Sequence, residues 1–125
     1  MSVRHAVAGA LAALALGGAP ALAEGDAKAG KKAFKRCAAC HGVKEGRHKV
    51  GPSLHAIVGR PAGTLKGYDK YSQALEGSGL VWDEPTLAAF LTDPEGTVPG
   101  NTMRFRGVKE GDLANLIAYL NTLSE

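Results

Sequence analysis

The stretch Cys37-Ala38-Ala39-Cys40-His41 places two thiols three residues apart and an imidazole directly after the second thiol. On a helical turn, side chains at positions i and i+3 emerge on the same face. This spacing is typical of covalent haem attachment, in which two thiols add to the two vinyl groups on one edge of a porphyrin. The sequence therefore predicts one haem c, bound covalently through Cys37 and Cys40, with the His41 imidazole placed over the ring plane to bind iron.

Two other kinds of site use closely spaced cysteines. A redox dithiol of the thioredoxin type should lie near a βαβ pattern, and the sequence shows no alternating strand pattern. A four-ligand zinc site would need His48 or His55, which lie on a short stretch after the motif. Haem attachment is the interpretation that the motif favours, and these two remain its alternatives.

Outward from the motif, the apolar spacing predicts a small number of helices. Ala27, Gly30, Phe34 and Cys37 recur at helical spacing, which predicts a helix over residues 26–39 with Asp26 as its N-cap. Three further helical segments are predicted: one or two turns within residues 71–76, a helix over residues 83–91 that Pro94 ends, and a helix with Leu113, Leu116, Ile117 and Leu120 on one face, running to Leu123 or the end.

Two stretches between these segments lack any sustained period. Residues 41–68 and 92–107 are rich in Gly, Pro and basic residues, which predicts long loops broken by at most short turns. Loops of this length need a scaffold to hold them. The sequence therefore predicts an all-α fold with three to five short helices and long loops wrapped around one covalently attached haem.

The composition limits the size and class of the protein. A chain of 125 residues with a formal charge of +3 is one small domain and not a long multi-domain enzyme. Three Phe, three Tyr and one Trp make a thin core, so another group is needed to fill its middle. The small net charge also disfavours nucleic acid as a partner.

The first residues are typical of an export signal. Arg4 precedes an apolar run over residues 6–16, and a small-x-small pattern ends at Ala23. The run is shorter than the roughly 20 residues of a membrane-spanning helix, and no stop-transfer segment follows it. We therefore expect residues 1–23 to be a cleaved secretory signal peptide, residues 24–125 to be the haem-binding domain, and the protein to work in the periplasm without a permanent membrane anchor.

Iron bound by His41 needs a sixth ligand or an open place for a substrate. His48, His55 and Met103 are the candidates after the signal peptide, and Met103 is the one methionine of residues 24–125. Met103 follows a Pro-Gly pair in a loop that can hold a thioether over a flat ring. Because a loop methionine is often only a packing residue, the residues by themselves leave the sixth ligand open.

From Gly25 to the C-terminus the chain resembles the small soluble class I cytochromes c of bacteria and mitochondria. The matching segments are the motif at residues 37–41, Gly51-Pro52-Ser53-Leu54, Gly59-Arg60, Trp82, Pro94, Pro99-Gly100, Met103 and the closing helix from Asp112 to Leu120. The resemblance covers essentially all of the domain. It implies the cytochrome c fold, and it favours Met103 as the sixth ligand over His48 and His55.

The resemblance also implies roles for residues that contact the haem. The Pro52 carbonyl would accept a hydrogen bond from the His41 ring, and Gly30 would let the first and last helices approach closely. Propionate contacts are implied for Arg60, Tyr71, Trp82 and Asn101. One departure is Phe90, which stands where many relatives have a tyrosine, so a hydroxyl near the Met103 sulfur is expected to be missing.

The function that follows from a His/Met pair is electron transfer, because both axial positions are filled and no substrate can bind without displacing a ligand. We therefore expect a soluble, monomeric periplasmic electron carrier of a respiratory or photosynthetic chain, not an enzyme. The alternatives are a haem enzyme or gas- or peroxide-binding protein with a displaceable methionine, and the electron-accepting subunit of a periplasmic dehydrogenase.

The charge distribution suggests the partners. Residues 24–60 carry nine basic and three acidic side chains, whereas residues 61–98 carry two basic and six acidic ones. Six basic residues are expected on the side of the exposed haem edge: Lys28, Lys31, Lys35, Lys44, Arg104 and Arg106. This asymmetry predicts docking to redox proteins with acidic surfaces, such as an oxidase, a reductase complex, a reaction centre or a dehydrogenase.

Overall fold

A computed structural model describes residues 25–124 of the chain, and the predicted signal peptide at residues 1–23 lies outside the described residues. The described chain forms six α-helices and one 3₁₀ helix: α1 (Ala27–Ala33), α2 (Lys35–Ala38), α3 (Gln73–Glu76), α4 (Glu84–Thr92), α5 (Pro94–Thr97), α6 (Glu110–Asn121) and the 3₁₀ helix (Thr122–Ser124). The extended structure over this range is one antiparallel bridge between Pro61 and Val81. The predicted all-α class is therefore confirmed.

The first and last helices cross at a glycine. A Cβ on Gly30 would collide with the Asn115 carbonyl of α6 and lie 2.8 Å from the Tyr119 Cβ. The Phe34 ring packs against the Tyr119 ring with centroids 5.1 Å apart. The backbone N–H of Asp26 donates to the Asn115 side-chain oxygen at 2.8 Å. The close crossing expected at Gly30 is confirmed, because only a residue without a side chain lets the two backbones approach so closely.

The helix count differs from the expectation of three to five. The predicted helix over residues 26–39 is interrupted at Phe34 and becomes α1 and α2, although Phe34 keeps right-handed helical backbone angles and the Ala38 N–H still donates to the Phe34 carbonyl. Asp26 caps α1 as predicted, since its carboxylate accepts from the Lys28 N–H. The interruption leaves the thiol-bearing turn as a separate element.

A second difference lies in the stretch over residues 92–107, which was expected to be irregular. Pro94 follows the end of α4 as predicted, but it also begins α5, a single turn that Asp93 caps by accepting from the Gly96 N–H at 3.0 Å. Pro at the first position of a helix loses no hydrogen bond, because that N–H would have no partner within the helix. The long loop over residues 41–68 contains no helix, as predicted.

The buried side chains form a shell and not a solid core. Leu116, Ile117 and Leu120 of α6 are at most 4% exposed and provide one side. The other sides come from Phe34, Ile57, Trp82, Leu87, Phe90, Leu91 and Val98. Each fully buried aliphatic or Phe side chain contributes about 1.5–3 kcal/mol to the hydrophobic stabilisation of the fold. The middle of this shell is a cavity, which the shortage of aromatic residues led us to expect.

Candidate functional site

The cavity inside the shell has a volume of about 490 Å³, within the range of about 300–1,000 Å³ that small-molecule and cofactor sites occupy. The nine residues predicted to contact the haem all line it: Cys37, Cys40, His41, Pro52, Arg60, Tyr71, Trp82, Asn101 and Met103. The other two sixth-ligand candidates, His48 and His55, are not among the described residues that line it. The fold thus brings together residues that lie up to 66 positions apart in the chain.

The imidazole of His41 is fixed by the loop that follows it. Its Nδ1 lies 2.7 Å from the Pro52 carbonyl oxygen, so Nδ1 carries the proton that is donated there. The neighbouring Gly51 lies directly against the ring, because a Cβ at this position would be 2.8 Å from Nδ1 and 3.0 Å from Nε2. Burial is the largest cause that lowers the pKa of His41, the Pro52 contact opposes it, and the charge of Arg60 lowers it further. A neutral ring with Nδ1 occupied leaves the Nε2 lone pair for a metal.

The two thiols lie on and directly after α2. The Cys37 side chain is half-buried and the Cys40 side chain is exposed. The Cys40 and His41 N–H groups both donate to the Cys37 carbonyl, at 3.0 and 2.9 Å, which continues the helical turn through the motif. Burial raises the pKa of the Cys37 thiol, and Arg36 opposes this shift. Both thiols line the cavity beside the His41 imidazole.

Met103 reaches the cavity from a loop that is held at both ends. At one end the Met103 N–H donates to the Asn101 side-chain oxygen at 3.0 Å. At the other end the Val108 N–H donates to the Leu91 carbonyl at 2.8 Å, and Gly107 has a φ of 121° and lies against the Thr92 carbonyl. A side chain at Gly107 would be strained and would also collide with α4. These anchors fix the backbone around Met103.

Three predicted propionate contacts have clear positions. The Arg60 guanidinium is partly buried and donates to the carbonyls of His55 at 3.1 Å and Ser53 at 3.2 Å. Burial lowers the pKa of Arg60, and the nearby Tyr71 opposes the shift. The Tyr71 hydroxyl accepts from the Leu65 N–H at 3.4 Å, and the Trp82 ring is 6% exposed and packs edge-on against Phe90. Arg60 has five N–H groups and therefore keeps donors for a further anion.

The Asn101 amide is engaged in hydrogen bonds within the protein. Its Nδ2 donates to the Pro94 carbonyl at 3.1 Å and to the Val98 carbonyl at 3.0 Å, so both amide hydrogens are used within the protein. Its oxygen accepts from Met103. In this structure Asn101 holds the Met103 loop, and its donation to a propionate, which would require one of these bonds to be given up, stays a prediction.

Several residues that line the cavity did not stand out in the sequence. The apolar members are Leu54, Ile57, Leu75, Leu87, Leu91, Leu116 and Leu120, and Phe105 lies near the rim. Apolar helical positions look the same in a sequence whether they face another side chain or a cofactor. Phe105 lies in a turn closed by its own N–H and the Met103 carbonyl, and no signal in the sequence indicated that its ring reaches the cavity.

The donor set and the lining fit a haem. Two thiols at helical spacing match two vinyl groups on one edge, and an imidazole with a free Nε2 and a thioether are both ligands that haem iron takes. The rest of the lining is largely apolar, as a porphyrin face requires, with Arg60 and Tyr71 available for charged or polar substituents.

Within residues 25–124, no helix has the length and apolar content needed to cross a bilayer.

Comparisons with known proteins agree with this site. The sequence model of the family described as "Cytochrome c" matches residues 27–124. The chain is 53% identical over 92 residues to cytochrome c2 iso-2 of Magnetospirillum fulvum, covering 73% of this chain and 95% of that protein. It is 49% identical over 102 residues to cytochrome c2 of Agrobacterium tumefaciens, covering 78% and 91%.

A solved structure gives the same result for the fold. Cytochrome cH from Methylobacterium extorquens superposes with a TM-score of 0.74 at 45% identity, covering 78% of this chain and 99% of that one. Cytochromes c bind one haem c through two cysteines, and Cys37 and Cys40 are the two cysteines here. The dithiol and zinc alternatives are therefore not adopted. The chain belongs to the cytochrome c family, with one haem c attached through Cys37 and Cys40 and a part in electron transport.

Proposed function

We propose that this chain is a monomeric periplasmic electron carrier in which His41 and Met103 are the two axial ligands of the haem iron. The observation that carries the proposal is that one apolar cavity is lined at once by both thiols, by His41 and by Met103. When bound, the haem supplies an iron that changes between ferric and ferrous states. The protein's own residues determine how that iron is held and which molecules can reach it.

The imidazole side is arranged for a strong, oriented ligand. The Pro52 carbonyl accepts the Nδ1 proton of His41 at 2.7 Å, which fixes the tautomer and makes Nε2 the better donor. Gly51 packs against the ring and limits its rotation. Proline offers this carbonyl without adding an N–H that would itself need a partner.

The methionine side supplies a neutral, soft donor. A thioether with an imidazole opposite raises the reduction potential of a haem, and an apolar environment that disfavours the extra ferric charge does the same. The Met103 side chain is partly buried, and the buried Phe90 in the neighbouring helix α4 brings no hydroxyl to the cavity. We therefore propose that the protein is a good acceptor of electrons from upstream donors.

One further group of residues completes the site. Arg60, Tyr71 and Trp82 are proposed to hydrogen-bond or neutralise the propionates, with Arg60 held in place by the Ser53 and His55 carbonyls. With both axial positions filled, a small molecule binds only by displacing a ligand, so the protein is proposed to act as a carrier and not as an enzyme.

An optical spectrum of the purified protein tests the axial ligands. We expect a long-wavelength sulfur-to-iron charge-transfer band in the ferric protein, its loss in Met103→Ala, and its retention in His48→Ala, a matched control in which a histidine beyond the cavity lining is removed. A wild-type spectrum without that band, or rapid cyanide binding as at an open site, would overturn the ligation by Met103.

The partners are proposed to be redox proteins with acidic docking surfaces. Arg36, Lys70 and Arg104 line the cavity that holds the haem. Five more basic residues line a second groove of about 460 Å³, which shares Phe34 and His41 with the first cavity: Lys31, Lys35, Lys44, Arg47 and Lys49. Electron exchange with an acidic partner should slow as salt rises past ~0.1 M, where the Debye length is about 10 Å. Salt-independent rates would contradict this electrostatic docking.

We propose the periplasmic location from the predicted signal peptide at residues 1–23. The intact mass of the protein from a periplasmic extract should correspond to residues 24–125 plus one haem. A mass that still contains residues 1–23 would show that the signal peptide is retained. A periplasmic location would then require that this segment anchor the protein to the membrane.

A further inference from the structure

Arg36 of α2 makes a contact with the Met103 loop. Its guanidinium carbon lies 5.7 Å from the centroid of the Phe105 ring, within the range of about 6 Å for a cation–π interaction. Arg36 directly precedes Cys37, and Phe105 lies two residues after Met103. The contact therefore joins the segment that bears the thiols to the segment that bears the thioether.

The contact lies at the rim of the haem cavity. Both side chains line the cavity, Arg36 is exposed, and Phe105 is partly exposed. The Phe105 N–H donates to the Met103 carbonyl at 3.0 Å, so the ring and the thioether belong to one tight turn. Movement of Phe105 away from the rim therefore moves the backbone of Met103 as well.

The other contacts of this turn hold only its ends. Asn101 holds the beginning of the loop through three hydrogen bonds. The bond from the Val108 N–H to the Leu91 carbonyl holds its end. Between these anchors, the contact of Phe105 with Arg36 ties the middle of the loop to the opposite side of the cavity mouth.

We infer that Arg36 and Phe105 form a latch across the mouth of the haem cavity that slows the departure of the Met103 side chain from the iron. The inference rests on the proposed ligation by Met103. In it, Arg36 is a positioning residue that acts through Phe105. Opening of the loop must separate the guanidinium from the ring, so the barrier to ligand exchange includes the energy of this contact.

The rate at which imidazole replaces Met103 in the ferric holoprotein measures the latch. A cation–π contact at an exposed site corresponds to about a two- to fivefold change in rate, at a factor of ten per 1.4 kcal/mol. Arg36→Met and Phe105→Leu should each speed imidazole binding by about this factor. The double variant should be no faster than the faster single variant, because both changes remove the same contact.

Two further variants separate the latch from charge and from folding. Arg106→Met removes a positive charge from the same loop at an exposed position outside the cavity lining, and its rate should equal that of the wild type. Arg36→Lys keeps a cation that can reach the ring, and it should restore most of the wild-type rate. If Arg36→Met sped imidazole exchange by destabilising the whole protein, its denaturation midpoint would fall as well. We expect no such fall, because Arg36 is exposed.

The outcomes distinguish the latch from the ligation on which it rests. If the charge-transfer band is present in all variants but Arg36→Met exchanges at the wild-type rate, or the effects of the two single variants multiply in the double variant, the latch is wrong and the ligation stands. If the wild-type band is absent, the ligation fails first. Rates that rise in the single variants without a further rise in the double variant support the latch.

Discussion

The two sides of the haem cavity hold His41 and Met103, the two proposed iron ligands, in different ways. On the His41 side, the ligand ring itself is held, since its Nδ1 meets the Pro52 carbonyl and its face lies against Gly51. On the Met103 side, the backbone is held by Asn101, while no group of residues 25–124 donates a hydrogen bond to the thioether sulfur. The difference teaches that one side controls the orientation of a ligand and the other controls whether the ligand stays.

The structural origin of this difference is the chemistry of the two side chains. An imidazole has a second nitrogen that the protein can bond without touching the iron-facing nitrogen. A methionine sulfur has only weak acceptor ability and a flexible stem. A protein can therefore fix a methionine ligand only through its backbone and its packing, which makes loop anchors such as Asn101 and Phe105 part of the ligand site.

Removal of the haem, which lies between the two sides, should have the largest effect on stability. The double variant Cys37→Ala, Cys40→Ala cannot attach haem, and the shell of core residues then surrounds an empty space that costs more than a domain of this size can lose. We expect a largely unfolded chain by far-UV circular dichroism. Native helix content in this double variant would show that the protein shell is stable by itself.

A change on the imidazole side should come next. Gly51→Ala places a Cβ against the His41 ring, 2.8 Å from Nδ1, and so pushes the ring away from the Pro52 carbonyl. We expect the free energy of unfolding to fall by about 1–3 kcal/mol, as for other overpacked sites, and the optical spectrum to change. Chemical denaturation and absorbance spectra measure the two effects.

Two glycines serve as controls for that experiment. Gly30→Ala makes a closer collision, with the Asn115 backbone at the crossing of α1 and α6, and it should lower stability while leaving the spectrum unchanged. Gly111→Ala meets no atom within 4 Å and should be neutral or stabilising by about 0.4–1 kcal/mol. A spectral change in Gly30→Ala equal to that in Gly51→Ala would refute a specific role of Gly51.

A change on the methionine side should have the smallest effect on stability. Asn101→Ala removes two donated bonds and the acceptor of the Met103 N–H, so we expect a loss of about 1–2 kcal/mol. The loop should open more often, and imidazole should replace Met103 faster. Asn101→Asp keeps the acceptor and should exchange more slowly than Asn101→Ala. Equal exchange rates in wild type and Asn101→Ala would show that the loop is held elsewhere.

The sequence was sufficient for the haem motif and the helical class, because these depend on local spacing. Cys37, Cys40 and His41 lie on one turn, and the α6 positions Leu116 and Leu120 show their periodicity directly. The family resemblance extended the prediction to distant residues such as Pro52. The axial role of Met103 and the cleavage of the leader stay predictions.

Other features could not be predicted because they depend on the path of the loops. The single turn α5 has a Pro-Glu-Gly-Thr sequence that looks like a loop, and only the Asp93 cap makes it helical. The carbonyls of Pro94 and Val98 come close enough to accept both hydrogens of the Asn101 amide, which the sequence did not indicate. Side-chain amides bond to whichever backbone groups the tertiary structure brings near.

The crossing of α1 and α6 also has a consequence for biosynthesis. Asp26 and Asn115 bond to each other across 89 positions, so the two ends of the domain meet only after nearly the whole chain has been made. During synthesis this contact cannot form until α6 has been made. A nascent chain therefore contains its thiol-bearing turn before it contains the helix that crosses α1, so the finished packing of α1 depends on the last residues to be made.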